Sequence, residues 1–275
     1  MVSNTNQPYT TLSNGIGMPL LGLGVYDMHG HEAEQAVQDA LEIGYRLFDT
    51  ASLYDNENEI GNALRNSSIP REDIFVTTKL GNDDHGYDAA LRAFEKSLVK
   101  LQMDYVDLYL VHWPVKGQRK ESWKALEKLY NDKRVRAIGV ANYSIEFLDE
   151  LETYATITPM VNQVEFTPWL FQGELLQYCQ NRNIQLQSYS PLTRGLKLGD
   201  PRLIALAEKY DRTPAQIVLR WNFEHGISTI PKSVSKKRLK ENFESLAFKI
   251  SEDDVALMDG FNENFRICDN PMDMF

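Results

Sequence analysis

Short apolar runs and amphipathic segments alternate along almost the whole sequence. Eight of the apolar runs have the length and composition of strands, and they occupy residues 19–25, 45–50, 73–79, 105–113, 135–142, 160–166, 184–191 and 227–233. Several are rich in Val, Ile and Leu, as parallel strands covered on both faces usually are. Eight strands that alternate with helices over about 250 residues predict an α/β fold, the (β/α)8 or TIM barrel.

The intervals between these runs carry helical patterns. Within 86–102 and 121–130, large apolar side chains recur at steps of three and four residues, which gives each helix one apolar face. A third helix is predicted to begin after Thr213, an N-cap residue, with Gln216 completing a capping box and Gly226 marking the end.

Residues 9–19 precede most of the predicted barrel. They are predicted to form a β-hairpin around Asn14-Gly15, a dipeptide typical of two-residue turns. Such a hairpin would close the lower end of the barrel. Because no linker, charge block or low-complexity tract divides the chain, we expect one domain over residues 1–275.

A doubly wound dinucleotide-binding fold is the competing architecture. Its fingerprint, GxGxxG, follows the first strand. Gly22 and Gly24 supply the first two glycines, but Asp27 stands at the third position. A dinucleotide bound by this chain is therefore not bound as in a Rossmann fold.

The charge balance argues against one large class of partner. Of 275 residues, 29 are Lys or Arg and 39 are Asp or Glu, which gives a net charge of −10. An acidic surface argues against nucleic acid, whose binding depends on neutralised phosphates. No run of about 18 apolar residues is present, so no membrane span is expected. Residues 1–10 lack the charged and apolar regions of a signal peptide.

The cysteine content bears on metals and compartment. Cys179 and Cys268 do not have the spacing of a zinc site, so no metal is expected. Two cysteines without a disulfide framework suit the reducing cytoplasm. Because no strongly apolar exposed segment stands out, we expect a monomer.

Ionisable side chains stand where three consecutive predicted strands end. These are Asp49, Lys79 and His112, and Tyr54 follows the first of them. Catalytic groups of a barrel lie at the C-terminal ends of its strands, so we expect the four to be neighbours. A phenol has a pKa of about 10, which a nearby ammonium lowers. A carboxylate would keep that ammonium charged and a histidine could orient a carbonyl, so the four could protonate an alkoxide as hydride reaches its carbon.

Each of these residues alone has another explanation. Asp49 could cap a strand end, Tyr54 could be a packing tyrosine, and His112 could be a satisfied structural group. Lys79 could reach the surface, or it could form the Schiff base of a barrel aldolase. Their joint placement on adjacent strand ends favours a proton-transfer site.

A basic cluster follows the last predicted strand. It consists of Lys232, Lys236, Lys237, Arg238 and Lys240. Helix N-termini bind anions, and barrels commonly place a phosphate site after strands seven and eight. We therefore interpret the cluster as a phosphate site rather than a solvated helix face.

Taken together, these segments resemble the aldo-keto reductases. The resemblance covers essentially the whole chain and is carried by LGLGVY, GYRLFDTASLYDNENEIG, FVTTKL, DYVDLYLVHWP, RAIGVANYS, MVNQVEFTPW, SYSPL and IPKSVSKKRLKEN. Within the family, the sequence is most similar to bacterial-type reductases related to 2,5-diketo-gluconate, methylglyoxal and prostaglandin F reductases. The resemblance implies a TIM barrel that binds NADPH in extended form and reduces aldehydes and ketones to alcohols.

The resemblance also implies roles for individual residues. Tyr54 would be the general acid and Lys79 would modulate its pKa. Asp49 would pair with Lys79, and His112 would steer the carbonyl. The positions implied for cofactor binding are Gly24, Asp49, Asn142, Gln163, Tyr189, Ser190, Leu192, Lys232, Ser233, Val234, Arg238, Glu241 and Asn242.

Within that set, the resemblance implies which residues contact each part of the cofactor. Asn142 and Gln163 would hold the nicotinamide carboxamide, and Tyr189 would stack on the nicotinamide ring. The pyrophosphate would lie along Ser190, Leu192 and the loop that follows. The 2′-phosphate would contact Lys232, Ser233 and Arg238, which favours NADPH over NADH, and adenine would contact Glu241 and Asn242. One departure is Ala141, which lacks the hydroxyl of the family's common SNF motif.

The substrate is expected to be a small carbonyl compound. Tyr26 and Trp113, together with Tyr54 and His112, are expected to contact it. The C-terminal residues 264–275 would form a further wall, and their short length suggests a pocket open to several small carbonyls. An NADPH-binding sensor subunit with little turnover is the alternative function.

Overall fold

The computed structural model describes residues 7–274. Residues 1–6 and Phe275 lie outside this part of the chain. The prediction about a signal peptide and the domain limits at 1 and 275 concern residues outside this part of the chain. The predicted pocket wall, residues 264–275, also extends beyond it by one residue. One domain over the whole chain stays a prediction.

Eight parallel strands form a barrel that follows a short N-terminal hairpin. The hairpin strands are β1 (Tyr9–Thr11) and β2 (Gly17–Pro19), and the barrel strands are β3 (Leu23–Gly24), β4 (Leu47–Asp49), β5 (Phe75–Leu80), β6 (Val106–Val111), β7 (Val135–Ala141), β8 (Val161–Glu165), β9 (Gln185–Tyr189) and β10 (Ser228–Ile230). Each barrel strand pairs with the next in chain order. A parallel bridge joins Leu21, two residues before β3, to Thr229 of β10. The predicted (β/α)8 barrel is confirmed: seven of the eight predicted runs contain a barrel strand, and β5 extends one residue beyond its run, to Leu80.

Helices connect and surround the strands. They are α1 (Gly30–Ile43), α2 (Glu57–Arg65), α3 (Tyr87–Leu101), α4 (Arg119–Asn131), α5 (Ile145–Glu152), α6 (Gly173–Asn181), α7 (Pro201–Tyr210), α8 (Pro214–Glu224), α9 (Lys236–Glu244), α10 (Glu252–Asp259) and α11 (Pro271–Met274). The predicted capping box of α8 is present, because the Thr213 hydroxyl accepts from the Gln216 N–H and the Gln216 side chain accepts from the Thr213 N–H. Gly226 follows the end of α8 at φ +72°. No helix within residues 7–274 is long and apolar enough to cross a membrane.

The core lies between the barrel and its helices. Phe94, Leu98 and Leu101 form the buried face predicted for α3. Phe94 packs edge-on against Tyr109 of β6, with 4.9 Å between the ring centroids. The alternation of strand residues sends Tyr109 to this layer and its neighbours into the barrel. Aromatic and aliphatic side chains thus join α3 to β6, while alternate residues of the strands face the barrel interior.

The hairpin lies at the N-terminal ends of the strands, as predicted. The Asn14 Nδ2 donates to the carbonyl oxygen of Arg136, 2.9 Å away, at the start of β7. The predicted two-residue turn is wrong, because the Leu12 N–H donates to the Ile16 carbonyl and three residues lie between them. A type I′ turn needs positive φ at both central residues. Of Asn14 and Gly15, only Gly15 has a positive φ, +85°.

Gly61 brings α2 against the C-terminal end of α3. A Cβ at this position would lie 2.3 Å from the carbonyl oxygen of Leu101. We expect Gly61→Ala to lower the free energy of unfolding by about 1–3 kcal/mol, because the two backbones would have to separate. At Gly199 an added Cβ meets no atom within 4 Å, so Gly199→Ala is the control and should change stability by less than about 0.5 kcal/mol. Urea unfolding measures both, and equal stabilities would contradict the tight contact.

Candidate active site

Three neighbouring strands bring the predicted catalytic side chains together. Asp49 ends β4, Lys79 lies near the end of β5, and His112 directly follows β6. Tyr54 completes a short 3₁₀ turn after β4, and the turn ends at Asp55 with φ +48°. Because β4, β5 and β6 are paired in this order, their C-terminal ends place all four side chains on one side of the barrel mouth.

Lys79 is held by three acceptors. Its Nζ donates to Asp49 Oδ1 at 2.5 Å, to the carbonyl oxygen of Thr50 at 2.9 Å and to the Tyr54 hydroxyl at 3.3 Å. The side chains of Lys79 and Asp49 are almost completely buried. An ammonium carries three protons, so each proton has one partner and the position of Nζ is fixed. Thr50 was not anticipated from the sequence, because it contributes a backbone atom.

The protonation of Lys79 follows from these contacts. Burial disfavours the ammonium, but Asp49 and Tyr54 together raise the pKa of Lys79 above its ordinary value. Burial raises the pKa of Asp49, and Lys79 and Gln163 oppose this. A lysine that stays charged and fully hydrogen-bonded has no free lone pair, so this geometry does not favour the Schiff-base alternative.

Tyr54 has a raised pKa. Part of its surface reaches the barrel mouth, but burial raises the pKa of its phenol, and the charge of Lys79 opposes this shift. Lys79 thus acts in the direction predicted from the sequence, but desolvation is the larger effect. The phenol therefore keeps its proton at neutral pH.

His112 faces Tyr54 and is buried. The ring centroids are 5.6 Å apart and the rings meet edge to face. Burial lowers the pKa of His112 well below its ordinary value, and Lys79 and His85 add to the effect. The imidazole is therefore neutral at physiological pH. Its Nδ1 is buried and has no hydrogen-bond partner among residues 7–274.

A set of amide side chains borders these four residues. Gln163 Nε2 donates to Asp49 Oδ2 and to Gln187 Oε1, each at 2.7 Å. Asn142 Nδ2 donates to the His112 carbonyl oxygen at 2.9 Å, and Asn142 Oδ1 accepts from the Tyr189 hydroxyl at 2.8 Å. The predicted carboxamide and stacking residues thus lie directly beside the catalytic candidates. Gln187 was not predicted, although polar residues at alternate positions of β9 were a usable signal.

The backbone at this rim adopts uncommon conformations. Asn142 and Ser190 have positive φ, +64° and +49°. Asn tolerates this region, whereas Ser rarely occupies it, and such residues cluster at functional sites. At Gly24 an added Cβ would lie 2.6 Å from the Ile230 carbonyl oxygen, so the first and last strands can meet there only through glycine.

The predicted phosphate-binding residues surround the start of α9. Lys232 Nζ donates to the Asp27 carbonyl oxygen at 3.0 Å, and Arg238 is exposed in the first turn of α9. Lys236 instead pairs with two carboxylates of α1, Glu42 at 2.6 Å and Asp39 at 3.1 Å. The basic cluster therefore does not act as one phosphate site, because Lys236 joins α9 to α1.

The remaining predicted cofactor residues lie near the same rim. Ser233 Oγ accepts from the Ser235 N–H at 3.2 Å, and Glu241 Oε1 accepts from the Thr213 hydroxyl at 2.8 Å. Asn242 is buried, Leu192 is half-buried and Val234 is exposed. The Glu241 carboxylate is thus already bonded to Thr213, the N-cap residue of α8. Adenine would have to share this carboxylate with the Thr213 hydroxyl.

Two aromatic rings flank the catalytic candidates. Tyr26 lies edge-on to Tyr54 with centroids 5.1 Å apart, and about half of its surface is exposed (53%). The Trp113 ring stacks beside His112 at 6.4 Å. These positions agree with a pocket wall on either side of the Tyr54 hydroxyl. Within the described residues, no group of three or more His, Cys, Asp and Glu side chains is arranged to hold a metal ion.

Comparison with known proteins places the chain in a family. The sequence profile described as "Aldo/keto reductase family" matches residues 15–263. The chain belongs to this family. The resemblance predicted from the sequence is therefore confirmed, and the chain is an aldo-keto reductase.

Individual relatives within this family are similar over almost their full length. The chain is 47% identical to the glyoxal reductase of Bacillus subtilis (strain 168), over 94% of this chain and 95% of that protein. It is 46% identical to the 9,11-endoperoxide prostaglandin H2 reductase of Trypanosoma cruzi (strain CL Brener), over 99% and 98%. Among solved structures, a variant of Gox0644 in complex with NADPH superposes with a TM-score of 0.92 at 39% identity, covering 97% of this chain and 98% of that chain.

Proposed function

We propose that this aldo-keto reductase uses NADPH to reduce aldehydes and ketones to alcohols, with Tyr54 as the proton donor. The observation that carries the proposal is the buried Lys79, whose three protons are directed at Asp49, Thr50 and Tyr54. The relative solved with NADPH supports the cofactor, and the two named reductases support carbonyl reduction.

The rim residues fit such a cofactor. Both protons of Gln163 Nε2 are used by Asp49 and Gln187, which leaves Gln163 Oε1 to accept from a carboxamide N–H. Tyr189, half-buried beside Asn142, offers a ring for stacking on the nicotinamide. At the other end, the exposed Arg238 and the N-terminus of α9 suit a phosphate. NADPH supplies the hydride when bound.

The protein residues then handle the proton. The substrate carbonyl oxygen would lie between the Tyr54 hydroxyl and the neutral His112 imidazole, which can donate one hydrogen bond. As negative charge develops on that oxygen, Tyr54 would transfer its proton. The adjacent Lys79 ammonium would stabilise the phenolate that remains, and Asp49 would keep that ammonium charged. The raised pKa of Tyr54 suits this order of events, since the phenol holds its proton until a stronger base forms.

The test of the proposal is NADPH oxidation with a panel of carbonyls, namely methylglyoxal, phenylglyoxal and 4-nitrobenzaldehyde. Cofactor binding is measured separately by quenching of protein fluorescence. We expect turnover with small aldehydes, following the glyoxal reductase relative. Tight NADPH binding without turnover on any of these carbonyls would contradict the proposal and would favour a sensor subunit.

Arg238 tests the assignment of the 2′-phosphate site. We expect Arg238→Ala to raise KM for NADPH by about tenfold or more, because a charge-assisted hydrogen bond contributes about 1.5–3 kcal/mol. KM for NADH, which lacks the 2′-phosphate, should change little. Lys236→Ala is the matched control, since its ammonium is paired with Glu42 and Asp39 of α1. Equal losses with both cofactors in Arg238→Ala would contradict a 2′-phosphate contact.

Two further properties stay predictions. We propose a cytoplasmic location, which rests on two free cysteines without a disulfide framework. We also propose a monomer, which sedimentation at several protein concentrations would test.

A further inference from the structure

Glu165 carries a buried carboxylate that the proposed chemistry does not use. It ends β8 two residues after Gln163, so both side chains face the barrel interior, with Glu165 nearer the mouth. Its residue surface is 1% exposed. Burial raises the pKa of Glu165, and hydrogen bonds from two backbone N–H groups, of Ile267 and Cys268, oppose this.

These two N–H groups belong to the C-terminal segment, which we define as residues 262–270. The Ile267 N–H donates to Glu165 Oε1 at 2.8 Å, and the Cys268 N–H donates to Oε2 at 3.1 Å. The segment contains no helix or strand, so its backbone N–H groups need partners from elsewhere. Glu165 supplies two of these partners with one side chain.

The C-terminal segment is also attached through its earlier backbone. The N–H groups of Glu263 and Phe265 both donate to the carbonyl oxygen of Trp169, each at 3.0 Å. Trp169 is buried in the connection between β8 and α6. The attachments to Trp169 and to Glu165 therefore hold residues 263–268 against the part of the barrel formed by β8 and the connection that follows it.

These attachments bring the segment to the proposed reaction site. Glu165, which holds the segment, lies opposite Tyr189 in the pairing of β8 with β9. Burial raises the pKa of the Tyr189 phenol, and Cys268 adds to this effect. The segment therefore borders the Tyr189 ring, which is proposed to stack on the nicotinamide. Its position limits the space left for a substrate on that side.

We propose that Glu165 is a positioning residue, which holds the C-terminal segment over the barrel mouth and so fixes one wall of the substrate pocket. The expected effect of Glu165 on turnover rests on the proposed function. Its attachment of the C-terminal segment does not. A carboxylate is required because both of its oxygens accept a backbone N–H. An amide offers one acceptor and turns a donor towards the second N–H.

Thiol labelling of the full-length protein tests the attachment directly. A disulfide reagent that releases a coloured thiolate is added to wild type, Glu165→Gln and Glu165→Ala. Burial and the Glu165 charge both raise the pKa of the Cys268 thiol, so labelling rates are measured over a range of pH and compared for the thiolate form. On this basis we expect Cys268 to react at least about tenfold faster in both variants, because a hydrogen bond to a charged group is lost or weakened. Cys179 is fully buried and its rate reports on global unfolding. Hydrogen exchange of the peptide holding Ile267 and Cys268 should rise in parallel.

Glu263→Gln is the matched control. Glu263 belongs to the same segment, but its carboxylate pairs at the surface with Lys197 and Arg202. Exposed ion pairs contribute little, so we expect less than about a fivefold change in Cys268 labelling. A Glu165 variant that labels at the wild-type rate, with Cys179 still protected, would overturn the attachment.

Steady-state kinetics test the effect on the pocket. We expect both Glu165 variants to raise KM for methylglyoxal several-fold, with kcat within about threefold of wild type and NADPH binding unchanged, as for a lost ground-state contact. If Cys268 labels faster while KM stays the same, the segment does not form the pocket wall and the positioning role fails. If wild type itself turns over no carbonyl, the proposed function fails, and the labelling still decides the attachment. Where Glu165→Ala does not fold, Glu165→Gln decides.

Discussion

Tyr54→Phe is expected to lower kcat by about 100- to 10,000-fold, the range that a positioned general acid contributes. The substitution removes the hydroxyl and keeps the ring that packs against Tyr26 and His112. Lys79 loses one of three acceptors and keeps Asp49 and Thr50. The fold and the cofactor site should therefore persist, so that the loss falls on proton transfer.

Single-turnover NADPH oxidation, with cofactor binding measured separately, separates these effects. Tyr9→Phe is the matched control, because it removes a hydroxyl from a half-exposed ring in the hairpin at the other end of the barrel. It should leave kcat within about threefold of wild type, as expected for a side chain outside the proton-transfer step. If Tyr54→Phe retained most of its kcat, another group would have to supply the proton, and His112 would be the next candidate.

Much of the barrel could be predicted from the sequence because the signals for strands and helix ends lie within a few neighbouring residues. Each apolar run overlapped one barrel strand. The start of α8 was indicated by Thr213 and Gln216, which lie within four residues of each other. The loop after β1 could not be predicted in the same way. Asn14-Gly15 signals a turn, but the register of the strands decides whether the loop holds two residues or three.

The catalytic candidates were predictable because their strands are adjacent. Asp49, Lys79 and His112 end consecutive parallel strands, so their proximity follows from the fold alone. Whether the pKa of Tyr54 is raised or lowered could not be predicted from the sequence. The shift depends on how deeply the phenol is buried as well as on its distance from Lys79. Similarly, only the packing of α9 on α1 shows that Lys236 is paired with Glu42.

Lys79→Met is expected to lower the free energy of unfolding by about 3–5 kcal/mol and to abolish most turnover. The cost arises because Asp49, 1% exposed, would be left as an unpaired buried carboxylate. Gln163 would remain its one side-chain donor. Methionine has a similar length and fills the space, so the loss would come from charge rather than from a cavity. Urea unfolding measures the difference.

The pH dependence of this loss has a defined sign. The pKa of Lys79 is raised in the folded protein, so its contribution is complete below the unfolded pKa of about 10.4. The contribution is lost as pH rises through the still higher folded value. In the variant, Asp49 takes up a proton more readily when folded than when unfolded, since its raised pKa is no longer opposed by Lys79. The stability deficit of Lys79→Met should therefore shrink as pH falls below neutral, and a deficit independent of pH would contradict a charge-based cause.

The double variant Asp49→Asn with Lys79→Met separates stability from catalysis. Replacing both charges removes the unpaired carboxylate, so most of the lost stability should return, as for other buried pairs whose members are neutralised together. Turnover should not return, because no ammonium is left to stabilise the Tyr54 phenolate. Recovery of both properties would mean that Lys79 acts only by holding Asp49. Recovery of stability alone would assign the charge of Lys79 to the proton-transfer step.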